Sequence, residues 1–443
     1  MSRWMQGLRE LKGYPSAVGG LGIILFLVAL SFYTVITIPY SEALDRWRGG
    51  DHWQMNPVNA GPVWADRLLG GNLPQTRVVE SDNADVREAP FEGGKQVRIP
   101  LTFEYDNEGF PSELNLFLNQ KGTQQEAFVR LTWHTPSGET ISLGGRRVSE
   151  EDRISISQNR ALEGRLGMVP HVGLFAGDSG PADPKAEQGE YRLTVDAMLF
   201  DPGAELEADL AVYGQVHGLA GTDYQRRNLM LALMWGTPVA LAFGLLAAVG
   251  TTLTTLVIAA TGVWYRGWVD ALIQRLTEVN MILPMLPILV MVGTLYSTSI
   301  WLMLGVVIAL GIFSAGIKTY RAMLLPICEA PYIEAARAYG AGNARIILRY
   351  MIPRILPVLI PTFVTLIPTF VFLEASLAVL GLGDPELPTW GKVLNDAQEQ
   401  SALYNGFYYW VIAPAVLLML TGLGFAMFGF ALDRIFNPRL RTQ

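Results

Sequence analysis

The residue types from which most catalytic and metal sites are built are scarce in this chain. Cys328 is the single cysteine, so it can neither close an intramolecular disulfide nor join a second thiolate at a metal. All four histidines lie between residues 39 and 221, which leaves the hydrophobic remainder of the chain without imidazole. We find no nucleophile–base pair and no metal-ligand spacing. The sequence therefore predicts no catalytic residue, no metal site and no cofactor held by this chain.

The composition indicates a membrane protein. Half of the 443 residues are hydrophobic, only 16% are charged, and the mean hydropathy is +0.28. We expect six crossings, because six apolar stretches are long enough or nearly long enough to span a bilayer. They lie around residues 18–38, 237–260, 280–296, 300–316, 355–380 and 408–428. The third and fourth are short and closely linked, so a single broken hairpin is the alternative at that point.

Basic residues in short loops predict the orientation. They cluster before the first stretch (Arg3, Arg9, Lys12), after the second, between the fourth and fifth, and after the last (Arg434, Arg439, Arg441). Both termini are therefore expected in the cytoplasm, and residues 39–222 outside. The first stretch is too long for a signal-peptide core and lacks a small-residue cleavage site, so we interpret it as a retained signal anchor.

The segment from residue 41 to 222 differs from the rest of the chain in its charge and in the spacing of its apolar residues. It holds 16 Lys and Arg against 28 Asp and Glu, so it is strongly acidic. Residues 97–105, 128–133, 141–143, 191–195 and 208–213 alternate apolar and polar side chains as half-buried strands do. We predict an inserted antiparallel β-sandwich. Docking of a partner, covering a pore entrance and bracing an assembly are all open as its role.

One local pattern precedes the second crossing, and another lies within the fifth. Polar residues 224–228 lead into an apolar run, which predicts a short interfacial helix that ends before a new helix begins at Thr237 and Pro238. In the fifth crossing, Glu374 is an intramembrane acid, and such a group is costly enough to be a functional candidate. It either lines a translocation pathway or makes a structural hydrogen bond. Pro357, Pro361 and Pro368 predict kinks in the same helix, as Pro284 and Pro287 do in the third.

The most informative segment is the cytoplasmic loop at residues 332–353. Its first part is rich in helix formers, and Gly340 can end that helix with a positive φ angle. A second helix then runs from Ala344 into the fifth crossing. The pattern predicts a helix-turn-helix that projects into the cytoplasm, where the alternative is an ordinary solvated loop.

Glu334-Ala335-Ala336, followed by Gly340 and by Ile352-Pro353, resembles the "EAA" loop of ABC importer permeases. The resemblance covers residues 1–38 and 221–443 and narrows to the second permease of dipeptide/oligopeptide-type importers. It is carried by Gly221-Thr222-Asp223-Tyr224-Gln225-Arg226-Arg227, Gly267-Trp268-Val269-Asp270, Glu374-Ala375-Ser376-Leu377, Gly381-Leu382-Gly383, Pro388-Thr389-Trp390-Gly391 and Asn437-Pro438-Arg439-Leu440-Arg441.

The chain departs from that family at two places. Arg226 and Asn228 stand where the family's Gly-Thr-Asp-x-x-Gly-Arg-Asp pattern has glycine and aspartate, which puts the local turn in doubt. The family also has only a short link after its first crossing, where this chain has the acidic insert. The resemblance thus implies domains at residues 1–38, 39–222 and 223–443, with the EAA coupling loop at about 317–354.

The resemblance implies a heteromeric importer in the cytoplasmic membrane of a prokaryote. Its parts are a second homologous permease, two ATP-binding cassette subunits and an extracytoplasmic substrate-binding protein, with no nucleic acid involved. The chain has no Gly-x-x-x-x-Gly-Lys-Ser/Thr loop, so ATP and Mg²⁺ are expected on the partner ATPases. The resemblance assigns ATPase coupling to Glu334, Ala335, Ala336, Arg337, Ala338 and Gly340.

The cargo that the resemblance favours is a short peptide, with nickel or another small solute as the alternative. A membrane-anchored sensor whose β domain binds ligand is a rival from a different class. Such a sensor need not associate with an ATPase, whereas a permease must.

Overall fold

The computed structural model describes residues 15–68, 70–122, 125–177 and 182–436. The chain divides into a β unit, Gly49–Met230, and a helical unit made of Met1–Arg48 and Leu231–Gln443. The basic residues Arg3, Arg9, Lys12, Arg439 and Arg441, and the motif at residues 437–441, lie outside the described residues.

The β unit contains two antiparallel sheets. The four-stranded sheet has the order β1-β9-β4-β7, and the five-stranded sheet has the order β2-β3-β8-β5-β6. The strands are β1 Arg77–Glu80, β2 Arg87–Phe91, β3 Gly94–Tyr105, β4 Glu113–Lys121, β5 Ala127–His134, β6 Thr140–Val148, β7 Glu151–Ser155, β8 Gly189–Leu199 and β9 Glu205–Tyr213. Short helices α3 Val63–Leu68, α4 Arg160–Leu166 and α5 Pro170–Gly173 accompany them.

Alternating side chains from both sheets fill one core, as the sequence predicts. Every second residue of β3 from Val97 to Tyr105 is buried, and the opposite face of the strand is exposed or half-buried. All five predicted strand segments are confirmed. Aromatic rings close one end of this core, and Trp133 Nε1 donates to Leu174 O at 3.1 Å there. The sandwich is therefore held by ordinary apolar burial.

The helical unit contains α1 Pro15–Thr37, α2 Tyr40–Trp47, α6 Leu229–Tyr265, α7 Gly267–Ile282, α8 Met285–Leu295, α9 Ile300–Ile312, α10 Gly316–Cys328, α11 Pro331–Ala338, α12 Asn343–Leu382, α13 Trp390–Glu399 and α14 Tyr409–Phe436. Of these, α1, α6, α12 and α14 are long and apolar enough to cross a membrane. Helices α7 and α8 meet at 76° and α9 and α10 at 49°, so the number of spans rises to six if each bent pair is one span. The described helices thus support between four and six crossings.

The kink that the sequence predicts at Pro284 is confirmed, whereas the bend between α9 and α10 is not predicted by the sequence. The first bend lies at Leu283 and Pro284, where Leu283 is extended as a residue before proline tends to be. Asn280, just before this bend, donates from Nδ2 to Leu310 O at 2.9 Å and to Phe313 O at 3.1 Å. Thr255 Oγ1 donates to Ile312 O at 3.0 Å. Side chains from neighbouring helices therefore satisfy the carbonyls that the second bend releases.

The predicted break at Thr237 and Pro238 is wrong, because α6 runs without interruption from Leu229 to Tyr265. Pro238 lacks the N–H that would bond the carbonyl of Met234. That carbonyl instead accepts from Thr34 Oγ1 of α1 at 3.4 Å. One residue earlier, Leu233 O accepts from Trp390 Nε1 at 2.9 Å. Neighbouring side chains thus supply the bonds that allow proline inside a helix.

Trp390 also fixes how closely α13 approaches α6. A Cβ atom placed on Gly236 would lie 2.3 Å from Trp390 Cδ1, a distance that only a shift of the indole could relieve. Trp390 is fully buried. Its position therefore depends on the absence of a side chain at residue 236.

We predict that Gly236→Ala destabilises the helical unit by about 1–3 kcal/mol through overpacking against Trp390. Thermal unfolding of the detergent-purified protein checks this. Gly305→Ala in α9 is the matched control, since a Cβ there meets nothing within 4 Å. It should unfold no earlier than the unsubstituted protein because alanine favours helix. Equal melting temperatures for both variants would contradict the close contact.

Candidate functional site

The segment singled out by sequence forms a short helix and a sharp turn. Helix α11 begins with Pro331 at its first position, where a missing N–H costs nothing. It ends at Ala338, and Gly340 has φ 77°, so the predicted left-handed glycine is confirmed. Ala341 N donates to Ala336 O at 3.0 Å across this turn. Helix α12 then begins at Asn343, one residue before the predicted start.

One face of α11 packs into the helical unit. Ile333 and Ala336, three residues apart, are buried there. Ala336 therefore faces the chain's own core, whereas the sequence suggests that it meets a partner. The surrounding cluster comes from four other helices and includes Trp264, Ile273, Ile317, Leu324, Ile346 and Met351. The helix thus sits on a packed base.

The opposite face of α11 is open. Glu334, Ala335, Arg337 and Ala338 are exposed, and Tyr339 is 91% exposed at the tip of the turn. These five residues are called the coupling surface below. The Arg337 guanidinium lies 4.1 Å from the centre of the Trp264 ring, which holds the charge in place. The sequence analysis missed Tyr339, although an aromatic residue beside a turn glycine in a cytoplasmic loop is a usable signal.

An ion pair braces the base beneath α11. Asp270 of α7 accepts two bonds from Arg321 of α10, with Nη2–Oδ2 at 2.6 Å and Nε–Oδ1 at 2.9 Å. Paired bonds of this kind fix orientation as well as distance. Asp270 belongs to the Gly-Trp-Val-Asp motif. The motif therefore helps to hold α7 against α10. Helix α10 leads directly to α11.

Glu374 lies on the buried face of α12. Its side chain is 7% exposed and interacts with the Thr389 side chain. Thr389 caps α13, because its hydroxyl accepts from Lys392 N at 3.1 Å. The structure therefore brings together two of the family-like motifs, Glu374-Ala375-Ser376-Leu377 and Pro388-Thr389-Trp390-Gly391. It does not bring Glu374 near the coupling surface.

The Gly221-Thr222-Asp223 motif folds into a compact turn of the β unit. Asp223 Oδ1 accepts from the backbone of Gln225 at 2.9 Å and of Arg227 at 2.8 Å. Its Oδ2 pairs with Arg227 Nε at 2.5 Å, and both side chains are at least 95% buried. Burial raises the pKa of the Asp223 carboxyl, and the charge of Arg227 opposes that rise. The pair is structural.

The two departures from the family pattern both have a structural account. Arg226 has φ 65°, the left-handed conformation that glycine adopts freely. Its guanidinium donates to Asn56 O at 2.7 Å, pairs with Glu113 and lies 4.5 Å from the centre of the Tyr213 ring. Asn228 Oδ1 accepts from Met230 N at 2.9 Å, so it caps α6 as aspartate would. The turn is retained despite both substitutions.

Comparison with known proteins identifies the helical part of the chain. Residues 252–442 match the family model "Binding-protein-dependent transport system inner membrane component". The chain is 30% identical over 226 residues to a glutathione transport system permease protein, GsiD, of Pectobacterium atrosepticum, a match that covers 50% of this chain and 73% of that protein. The chain belongs to this permease family.

Two further relatives of the permease have similar coverage. A dipeptide transport system permease protein, DppC, of Alkalihalophilus pseudofirmus is 27% identical over 227 residues, covering 50% of this chain and 72% of that protein. A putative peptide transport system permease protein of Brucella suis is 30% identical over 231 residues, covering 51% and 75%. The permease is thus a multi-pass inner-membrane protein of a family whose members are non-catalytic transport subunits.

We predict that Arg227→Met destabilises the permease by about 3–5 kcal/mol, because it leaves the Asp223 carboxylate buried without its partner. Limited proteolysis of the β unit across a urea series measures this. Gln225→Met is the control, since the exposed Gln225 contributes to the turn through its backbone N–H. An Arg227→Met protein as resistant as the control would show that the pair adds nothing.

Proposed function

We propose that the permease is one transmembrane subunit of an ATP-driven importer for short peptides. Its relatives support this cargo, because they are named as permeases for glutathione, dipeptides and peptides. The observation that carries the coupling role is the exposed face of α11 on a buried base that continues into α12. The subunit would form half of a translocation pathway with a second, homologous permease.

Two ATP-binding cassette subunits would drive the transport and bind ATP and Mg²⁺. One of them would receive the coupling surface in a groove, with the exposed Glu334 and Arg337 at its rim and Ala335 and Ala338 at the closest approach. Ala336 and Gly340 would act indirectly, by seating α11 and by shaping its turn. Closure of the ATPases would then move α11 and tilt α12 between two states of the pathway.

The proposed topology counts each bent pair as one crossing and so has six. Both termini would be cytoplasmic. The domain at residues 39–222 would be extracytoplasmic, between residues 1–38, which form a cytoplasmic tail and the first crossing, and the permease core at residues 223–443. An extracytoplasmic binding protein would deliver the peptide. The coupling loop, at about residues 317–354, would then begin within α10, where the fourth crossing ends, and would continue through α11 and the first turns of α12.

Purification of the intact complex from its native membrane tests this function. Two ATPase subunits and a second permease should co-purify, and proteoliposomes with the binding protein should accumulate labelled di- and tripeptides only with ATP. Nickel uptake in place of peptide uptake would overturn the cargo. Isolation without any ATPase would overturn the importer and favour the ligand-binding sensor.

We predict that Glu334→Ala weakens ATPase docking by roughly ten- to a hundredfold, the loss expected for one charge-assisted hydrogen bond. Co-purification of the ATPases and peptide-stimulated ATP hydrolysis measure it. Gly340→Val should uncouple hydrolysis from import as well, because a β-branched residue is strained at φ 77°. Gly342→Ala is the control, as a Cβ there meets nothing within 4 Å. Normal import by both test variants would remove the coupling role.

We propose a structural role for Glu374 in preference to a place in the pathway. Glu374→Gln should import peptide normally, because an amide of the same shape can keep the polar contact with Thr389. Glu374→Leu should lower the melting temperature, because Thr389 and the start of α13 lose that partner. Import and thermal unfolding are measured on the same preparations. Loss of import by Glu374→Gln at unchanged stability would instead place this carboxyl in the pathway.

A further inference from the structure

The helical unit encloses a cleft of about 500 Å³ where the two helix bends meet α6 and α12. Its polar lining includes Thr252, Thr255, Asn280, Ser314, Tyr320 and Thr362. The described residues around the cleft include no charged side chain. The cleft therefore offers hydroxyl and amide groups to a polar molecule but does not select for its charge.

Thr252 has a buried hydroxyl that bonds no carbonyl of its own helix. Its neighbours in α6 donate to carbonyls of the same helix, Thr251 to Ala247 O at 2.7 Å and Thr261 to Val257 O at 2.8 Å. Thr252 Oγ1 is buried and makes no hydrogen bond of normal geometry, although the Tyr320 side chain faces it. A buried hydroxyl without a well-formed hydrogen bond indicates that a further group supplies one.

A row of hydroxyls continues from the cleft along α12. Thr362, Thr365, Thr369 and Ser376 are three, four and seven residues apart, so they share one face of the helix. Exposed positions of α12 from residue 358 to 377 are Val358, Thr362, Thr369, Phe372 and Ser376. Three of these five carry a hydroxyl, on a helix whose sequence is otherwise strongly apolar.

The row is long enough to matter for passage across a membrane. From Thr362 to Ser376 it extends about 21 Å along the axis, out of a hydrocarbon thickness of about 30 Å. Thr365, Thr369 and Ser376 donate to carbonyls of α12 itself, and each hydroxyl oxygen keeps a lone pair that can accept from a further group. Glu374 lies on the opposite, buried side of the helix. The hydroxyl row is thus the polar surface that runs along α12.

We propose that this row and the cleft that it joins at Thr362 form the wall along which a peptide backbone passes. The inference rests on the proposed function as a peptide importer. A hydroxyl whose proton is bonded to its own helix can still accept from the backbone N–H groups of any peptide, and it reads none of the peptide's side chains. A series of weak, uncharged partners also lets the cargo leave each position again.

Aqueous labelling of single cysteines in the reconstituted complex tests the wall. Cys328→Ala provides the background, and Thr362→Cys, Thr369→Cys and Ser376→Cys are tested one at a time. Met419→Cys in α14 and Phe26→Cys in α1 are controls, because both positions are at least 55% exposed on apolar helices. A charged, membrane-impermeant methanethiosulfonate reports access to water, and a transported dipeptide is added as competitor.

We expect the row cysteines to react at least tenfold faster than the controls, and the dipeptide to slow them. Reaction no faster than at Met419→Cys, in a complex that still imports peptide, would assign the row to lipid or to a partner helix and overturn the inference. Fast reaction that the dipeptide leaves unchanged would overturn the peptide contact. Uptake by the unsubstituted complex tests the proposed function separately, since labelling is read without transport.

The hydroxyls themselves are tested by Thr369→Val, which keeps the shape and removes the oxygen. Import efficiency should fall about fivefold, the effect of one neutral hydrogen bond, at an unchanged melting temperature. Thr261→Val on α6 is the matched control, because its hydroxyl also bonds a carbonyl of its own helix but does not line the cleft. Equal import by both variants would show that the row hydroxyls do not touch cargo.

Discussion

Every backbone carbonyl that a membrane helix leaves unpaired has to find a donor inside the protein, and much of the helical unit is arranged around this need. The second bend releases the carbonyls of Leu310, Ile312 and Phe313, and Asn280 and Thr255 bond them. Pro238 releases the carbonyl of Met234, which Thr34 bonds. Helices α1, α6, α7 and α9 are therefore tied together at points where one of them is irregular.

These ties have a mechanical meaning for the coupling role. A helix bend whose carbonyls are bonded by a neighbour keeps its angle, so a force on one element reaches the next with little loss. The Asp270–Arg321 pair does the same at the joint of α7 and α10, and the apolar cluster around Ile333 seats α11. An exposed helix on such a base can move as a lever, whereas a solvated loop in the same place would absorb the motion.

The sequence analysis predicted the parts whose signals are local and failed where distant side chains decide. Alternation alone located β3, β5, β6, β8 and β9, and the helix formers followed by Gly340 located α11. The break at Pro238 was wrong because no local pattern shows that Thr34 and Trp390 bond the carbonyls beside it. The kink at Pro284 was predicted from the proline itself, whereas the bend near Phe313 was missed because side chains of other helices bond the carbonyls it releases.

At the coupling surface, the exposed Glu334, Ala335, Arg337 and Ala338 lie where the sequence suggested, but the direction of Ala336 could not be predicted. A face of a short helix is assigned by what lies beneath it, and here that is Trp264 and Ile273, some sixty to seventy residues earlier in the chain. Glu374 illustrates the same limit. Its position in an apolar stretch indicated only that the carboxyl needs a partner, and identifying Thr389 required the fold.

Arg226 shows how the inserted β unit and a permease motif have become dependent on each other. A left-handed arginine costs roughly 1 kcal/mol or more, and here Asn56, Glu113 and Tyr213 offset that cost. All three partners lie within the β unit. The insert therefore cannot be exchanged as a simple module: a shortened permease would have to regain glycine at position 226, and a relative that received the insert would gain its anchor only with an arginine there.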